Sequence, residues 1–245
     1  MLITTKGLVI KVMDIRDNDR LITILTADLG LIKAFVSGAK KASNKNHANT
    51  SLFCYSDFSL SKSGDTYKVK ESILISSFFN IGTDILNLSL AQYFCEIAGF
   101  FSPEESGASE HLRLTLNSLN FLCNNSFERN LLKAIFELRL MAASGYMPDL
   151  VACECCGKFE DDIFCFYYEN GGILCNACKE EGKYAYLDKT LLTAMRHIIY
   201  SDFEKLFSFK IPDEAALRLS KISEEYLVFQ SGRKFQTCEF YKSLL

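Results

Sequence analysis

The sequence predicts an α+β multidomain chain. An N-terminal five-stranded barrel of OB-fold type spans residues 1–79, and an all-α helical domain over 80–245 is interrupted by a four-cysteine zinc-binding insert at 150–183. Three observations carry this prediction. Apolar residues alternate with period two in the first 79 residues and recur with period 3.6 from about residue 82. Two Cys-x-x-Cys pairs stand between the later helical stretches. Charge changes at the same boundary: residues 1–80 carry 11 Lys+Arg against 7 Asp+Glu, whereas 81–245 carry 16 against 23. A basic first third on an acidic remainder implies two modules with different partners.

The barrel strands are read at GLVIKVM (7–13), RLITILT (20–26), LIKAFVSG (31–38), LFCYSDFSLS (52–61) and YKVKESILISSF (67–78). They are rich in β-branched and aromatic residues, and turn chemistry bounds them. ADLG (27–30) supplies a tight hairpin if Gly30 takes positive φ, and SKSGD (61–65) supplies a second around Gly64. The link from Gly38 to Ser51 is long and basic. Five short strands with one longer loop fit an OB-fold, and an SH3-like barrel also fits the strand count.

Helices are expected at 84–101, 110–123, 127–144, 188–200 and 213–231, with the cysteine segment inserted between helices of a single bundle. Ser109 and Ser126 are the expected N-caps, and Gly145 and Gly232 the expected stops. The apolar stretch 84–101 is broken by Asp84, Asn87, Gln92 and Glu96, which marks a buried helix rather than a membrane span. Lys6 and Lys11 interrupt any signal-peptide core at the start, so a cytoplasmic protein with reduced thiols is expected.

Cys153-x-x-Cys156 and Cys175-x-x-Cys178 are 18 residues apart, the spacing of a four-thiolate zinc site. Each pair turns two sulfurs toward one centre, and a hairpin of 163–168 with 173–175 around Gly171-Gly172 brings the pairs together. A redox Cys-x-x-Cys belongs at a βαβ unit, which is missing here, and two disulfides do not suit a reducing compartment. Four cysteines close the metal's coordination shell, and His47, His111 and His197 have no ligand spacing. One structural Zn2+ per chain is therefore expected, with Cys155 a competitor of Cys153 and Cys165 a packed strand residue. The chain contains no GxxxxGK[ST], GxGxxG, GxSxG or HExxH, so a binding protein and not an enzyme is expected, with no catalytic residues assigned.

The candidate nucleic-acid-binding residues lie on the basic module: Arg16, Arg20, Lys33, Lys40, Lys41 and Lys45, with Lys11, Lys68 and Lys70 on other strands. Barrels bind single strands through a positive groove and aromatic platforms, and Phe35, Phe53, Tyr55, Phe58 and Tyr67 are present. For each ring, filling the barrel is the favoured reading, whereas the Gly-Ala-Lys-Lys loop suits a phosphate contact. A zinc-ribbon RNA-binding or transcription-associated adaptor is the alternative function, because it needs the same basic barrel.

These residues resemble the RecO family of bacterial recombination mediators along nearly the whole chain. The matching stretches are DRLITILTADLGLIKAFVSGAKK (19–41), FELRLMAASGYMPDL (136–150), Cys153-x-x-Cys156-Gly157, FCFYYENGGILCNAC (164–178) and SGRKFQTCEF (231–240). The resemblance implies an OB-fold, a helical domain and a zinc insert. It also implies binding of single- and double-stranded DNA, annealing of complementary strands, and loading of RecA onto strands coated by single-stranded-DNA-binding protein. RecR and the acidic C-terminal tail of that coating protein would be partners, with RecA engaged indirectly and no membrane involved. NKNHANTSLFCY (44–55) departs from the family's usual basic stretch at this point. For the acidic tail, Arg139 is the candidate partner-binding residue, while Lys133 is read as solvent-facing helix charge.

Overall fold

A computed structural model describes residues 2–15, 18–41, 44, 46–64 and 66–245. The first strands are β1 (Leu2–Ile15), β2 (Asp19–Thr26) and β3 (Leu31–Val36). After the four-residue helix α1 (Asn46–Asn49) come β4 (Cys54–Ser63) and β5 (Thr66–Ser77). They close into a barrel in the order β1-β2-β3-β5-β4, with β3 and β5 parallel and the other pairs antiparallel. This is an OB-type barrel, as the strand pattern predicted. Its interior is filled by Val9, Ile22, Ile24, Ile32, Phe58, Leu60, Tyr67 and Val69 among others, the inward members of each alternating strand.

Gly30 shows why the β2–β3 hairpin needs glycine. Its φ is +62°, and a Cβ there would come within 2.2 Å of the Pro103 carbonyl oxygen. That close approach lets Leu31 N donate to Pro103 O (2.9 Å) and Ala108 N to Ala27 O (2.8 Å), tying the hairpin to the chain between α2 (Ile85–Phe101) and α3 (Ser109–Cys123). The Ala108 amide anchors the start of α3 one residue before the expected cap, so Ser109 is helical and Ala108 holds the cap position without a side-chain bond. Ser126 is likewise displaced as a cap. Glu128 takes that role for α4 (Arg129–Ala143), accepting from the amides of Asn130 and Leu131.

The helices do not form a single bundle. Two compact units are present, one of residues 1–126 with 236–245 and the other of 127–235. In the first, α2, α3 and the terminal α7 (Gln236–Ser243) accompany the barrel, and Glu96 of α2 accepts from the amide and hydroxyl of Thr237. The second contains α4, α5 (Lys189–Tyr200) and α6 (Asp213–Ser231), with a three-stranded sheet of β6 (Ile163–Tyr167), β7 (Ile173–Cys175) and β8 (Tyr184–Asp188) in the order β7-β6-β8. Among the described residues, no helix is long and apolar enough to cross a membrane.

Candidate metal centre and nucleic-acid interface

The two Cys-x-x-Cys pairs meet through the β6–β7 hairpin, in which Phe164 pairs with Cys175 and Cys165 with Leu174. Gly157 takes φ +70° and donates to Cys153 O (2.8 Å), while Cys153 N donates to Lys158 O (2.9 Å), which turns the first pair into a knuckle. The Sγ atoms of Cys153, Cys156, Cys175 and Cys178 all lie within 4.8 Å of one another. Cys156 and Cys175 are 3.7 Å apart. A metal with bonds of about 2.3 Å to four tetrahedral sulfurs would set that edge near 3.8 Å, so the four residues fit a structural metal site.

Thiol chemistry points the same way. Burial pushes the Cys153 thiol up, but donated backbone hydrogen bonds, led by that of Cys175 (3.3 Å to Sγ), outweigh it and bring it down to about 6. The Cys178 thiol is instead held up, chiefly by hydrogen bonding with the neighbouring sulfurs of Cys156 and Cys175. Packed thiols resist ionising together, and a divalent cation is the charge that lets all four become thiolates. Cys155 is exposed and outside the four, and Cys165 is fully buried on β6, as a packed residue should be.

What holds the first knuckle was not legible in the sequence. Arg196 of α5 donates from Nε to Leu150 O (2.7 Å) and from Nη2 to Val151 O (2.9 Å) and Phe159 O (3.2 Å), clasping both flanks of Cys153–Cys156. The remaining sheet strand, β8, was also missed, because YAYLD is too short to separate from a loop by alternation alone.

On the barrel, register assembles the cations that the sequence scattered. Lys11, Thr23 and Lys33 lie side by side across β1, β2 and β3, and Met13, Leu21, Phe35 and Lys68 form the next row across β1, β2, β3 and β5. Their strand neighbours Ile22, Ala34 and Tyr67 are buried in the core, so both rows face outward. Lys11, Lys33 and Lys68 are exposed, and Phe35 between them is half-buried. The other candidate rings divide as packing dictates: Phe53, Phe58 and Tyr67 are buried, and Tyr55 is half-buried.

At one end of the barrel the long β3–β4 connection folds against the β1–β2 hairpin. Gly38 N donates to Asp19 Oδ1 (2.7 Å) and Lys40 N to Asn18 O (3.2 Å). Asp14 then holds two candidate cations, Arg20 at 3.2 Å and Lys40 at 3.1 Å. The Lys40 ammonium, with Arg20 adding to it, holds the Asp14 carboxyl below its usual range against the opposing effect of burial. Lys41 is exposed. Arg16 and Lys45 lie outside the described residues. Asp14 was missed because a carboxylate six residues before Arg20 means nothing until the hairpin sets them opposite each other.

The helical cations are engaged. Arg139 Nη1 donates to the carbonyls of Ile198 (3.3 Å), Ile199 (3.0 Å) and Ser201 (3.2 Å), capping the end of α5. Lys133 is buried at 2% exposure, which corrects its reading as a solvent-facing charge. Its ammonium reaches Glu137 (2.7 Å), Glu224 (3.0 Å) and Ser220 O (3.1 Å), because α4 is apolar on both sides and sinks the whole turn against α6.

Comparison with known proteins places this assembly. Residues 1–78 match the family model "Recombination protein O N terminal", and residues 82–238 match "Recombination protein O C terminal". The chain belongs to the RecO family. "DNA repair protein RecO" of Acetivibrio thermocellus is 32% identical over 241 residues, covering 98% of this chain and 96% of the relative. The protein of that name from Dehalococcoides mccartyi is 31% identical over 242 residues (98% and 93%), and that from Clostridium novyi 25% over 240 (98% and 93%). The RecO resemblance read from the motifs is thus confirmed along the chain, and DNA repair is the role of the family.

Proposed function

We propose that this chain is a recombination mediator without catalytic activity of its own. It binds single- and double-stranded DNA on the barrel, anneals complementary strands, and assists loading of RecA onto strands coated by single-stranded-DNA-binding protein. RecR and the acidic tail of the coating protein are its partners, and the cytoplasm is its compartment. The observation that carries this reading is the outward surface of Lys11, Lys33 and Lys68 around Phe35. Ammonium groups beside a half-exposed ring suit a phosphate backbone whose bases stack without sequence readout. Lys41 extends the cationic surface at the barrel end, where Arg20 and Lys40 gather around Asp14. Cys153, Cys156, Cys175 and Cys178 hold one Zn2+, which closes the ribbon and supplies no open coordination position.

The test is a strand-annealing assay with complementary oligonucleotides, run bare and coated with single-stranded-DNA-binding protein. Acceleration in both conditions is expected. A clear preference for RNA with no acceleration of annealing overturns the mediator reading and favours an RNA-binding adaptor.

A further inference from the structure

The solvent side of the four-sulfur cluster carries a fifth thiol. Of the six cysteines outside the four, Cys54, Cys95, Cys165 and Cys238 are buried, Cys123 is half-buried and Cys155 is exposed. Within the cluster Cys153 and Cys175 are buried, whereas Cys156 is exposed and Cys178 half-buried. The Cys155 backbone amide donates to the Cys153 sulfur, and its side chain hydrogen-bonds the sulfur of Cys178 on the other knuckle. Cys155 is thus a water-reached thiol set directly against a second one. Oxidation-sensitive cysteines are of this kind, exposed and beside a resolving thiol. Buried thiols such as Cys54, which desolvation pushes up to about 11, are inert by comparison.

We propose that Cys155 is an oxidation site through which peroxide opens the metal centre, with Cys178 as the resolving thiol. The Cys155 sulfur attacks one peroxide oxygen, the O–O bond breaks, and the leaving hydroxide takes the thiol proton to become water. The Cys178 sulfur then attacks the Cys155 sulfenic acid. An S–S bond forms, the S–O bond breaks, and the leaving hydroxide takes up a proton as a second water. Two sulfurs are oxidised by two electrons in all, and one peroxide is reduced to two waters. Cys178 is thereby withdrawn from the four, and the three sulfurs that remain no longer close a tetrahedral shell. Because the new bond joins one knuckle to the other, it keeps the two pairs together while the metal is out. Geometry disfavours Cys156 as the resolving partner: adjacent Cα atoms stand about 3.8 Å apart, short of the roughly 4.4–6.8 Å that disulfides span. Charge selects the oxidant. Residues 150–183 carry seven Asp and Glu against three Lys, so a neutral peroxide reaches the thiol where an anionic disulfide is repelled. The inference rests on the reading that the four cysteines hold a metal.

The test exposes the full chain with bound zinc, purified without oxygen, to an equimolar amount of hydrogen peroxide. Metal release is followed with a chromogenic chelator, and disulfides are mapped by mass spectrometry after alkylation. Cys155→Ser should keep its metal content and melting temperature, and release zinc at least about fivefold more slowly than the unmodified chain. Cys155→Ala should behave in the same way, and Cys123→Ser should match the unmodified chain. The first disulfide should join Cys155 to Cys178, and a dithiol reductant with added zinc should restore the metal. Equal release rates in the two Cys155 variants, or a first disulfide confined to Cys153–Cys156 or Cys175–Cys178, would overturn the proposal. Protein that is zinc-free as purified sinks the metal reading alone, because the mapped disulfide still decides the role of Cys155.

Discussion

The barrel and the cysteine ribbon solve the same problem by different means. The barrel closes five strands around an apolar interior of side chains such as Ile22, Phe58 and Leu60, so its stability resides in packing. The ribbon has three strands of five, three and five residues, too little sheet to persist alone, and relies on four thiols brought to one point and on Arg196. The difference teaches that the four-thiol site and the cationic barrel face are separable: the cations of that face are positioned by register and not by the ribbon.

Cys175→Ser is the most severe way to test that separation. Structural zinc contributes apparent binding energies on the order of 10 kcal/mol. The variant should lose its metal and become protease-sensitive between residues 150 and 188, read by metal analysis and mapped cleavage, while the barrel keeps its protection. Simultaneous collapse of both regions would show that they are one cooperative unit. Phe58→Ala attacks the barrel instead and should cost about 3–5 kcal/mol in denaturant titration, with full metal content retained.

Lys133→Met probes the helical scaffold beneath the ribbon. Removing one partner of a buried pair leaves Glu137, which is fully buried, without its cation, for about 3–5 kcal/mol. The double variant Lys133→Met/Glu137→Met should recover part of that loss. Lys40→Ala with Lys41→Ala leaves stability nearly unchanged and weakens DNA binding, and each lost phosphate contact on a single strand lowers the salt slope by about 0.7. An unchanged slope removes the loop from the interface. Arg218→Ala is the smallest: its pair with Asp188 at 2.6 Å is half-exposed and worth about 0.5 kcal/mol.

What could be read from the sequence depended on how local the determinant is. Strand alternation, the Gly30 and Gly64 hairpins and the spacing of the cysteines are all set within a few residues, and each appears where it was expected. The start of α3 moved because a backbone partner distant in sequence, Ala27, holds the Ala108 amide, whereas at α4 the nearby Glu128 carboxylate takes the cap. Lys133 misled because its burial against α6 is invisible in the periodicity of α4 alone, and the α5 carbonyls that Arg139 caps lie some sixty residues further along the chain. The outward rows of the barrel were half legible: residue types were evident, but which lysine sits beside Phe35 is a matter of register between β3 and β5, which residues 37–65 separate in the chain.

The return of α7 to α2 gives the chain an order of construction. Residues 127–235 leave the ribosome as a continuous stretch and can pack as soon as they are made. The barrel's unit, begun first, stays unfinished until Thr237 reaches Glu96, with the whole cysteine-bearing unit already synthesised between its two parts. The barrel's unit is thus started first and completed last, so a chain ending before Thr237 would carry a finished ribbon and an unlatched barrel unit.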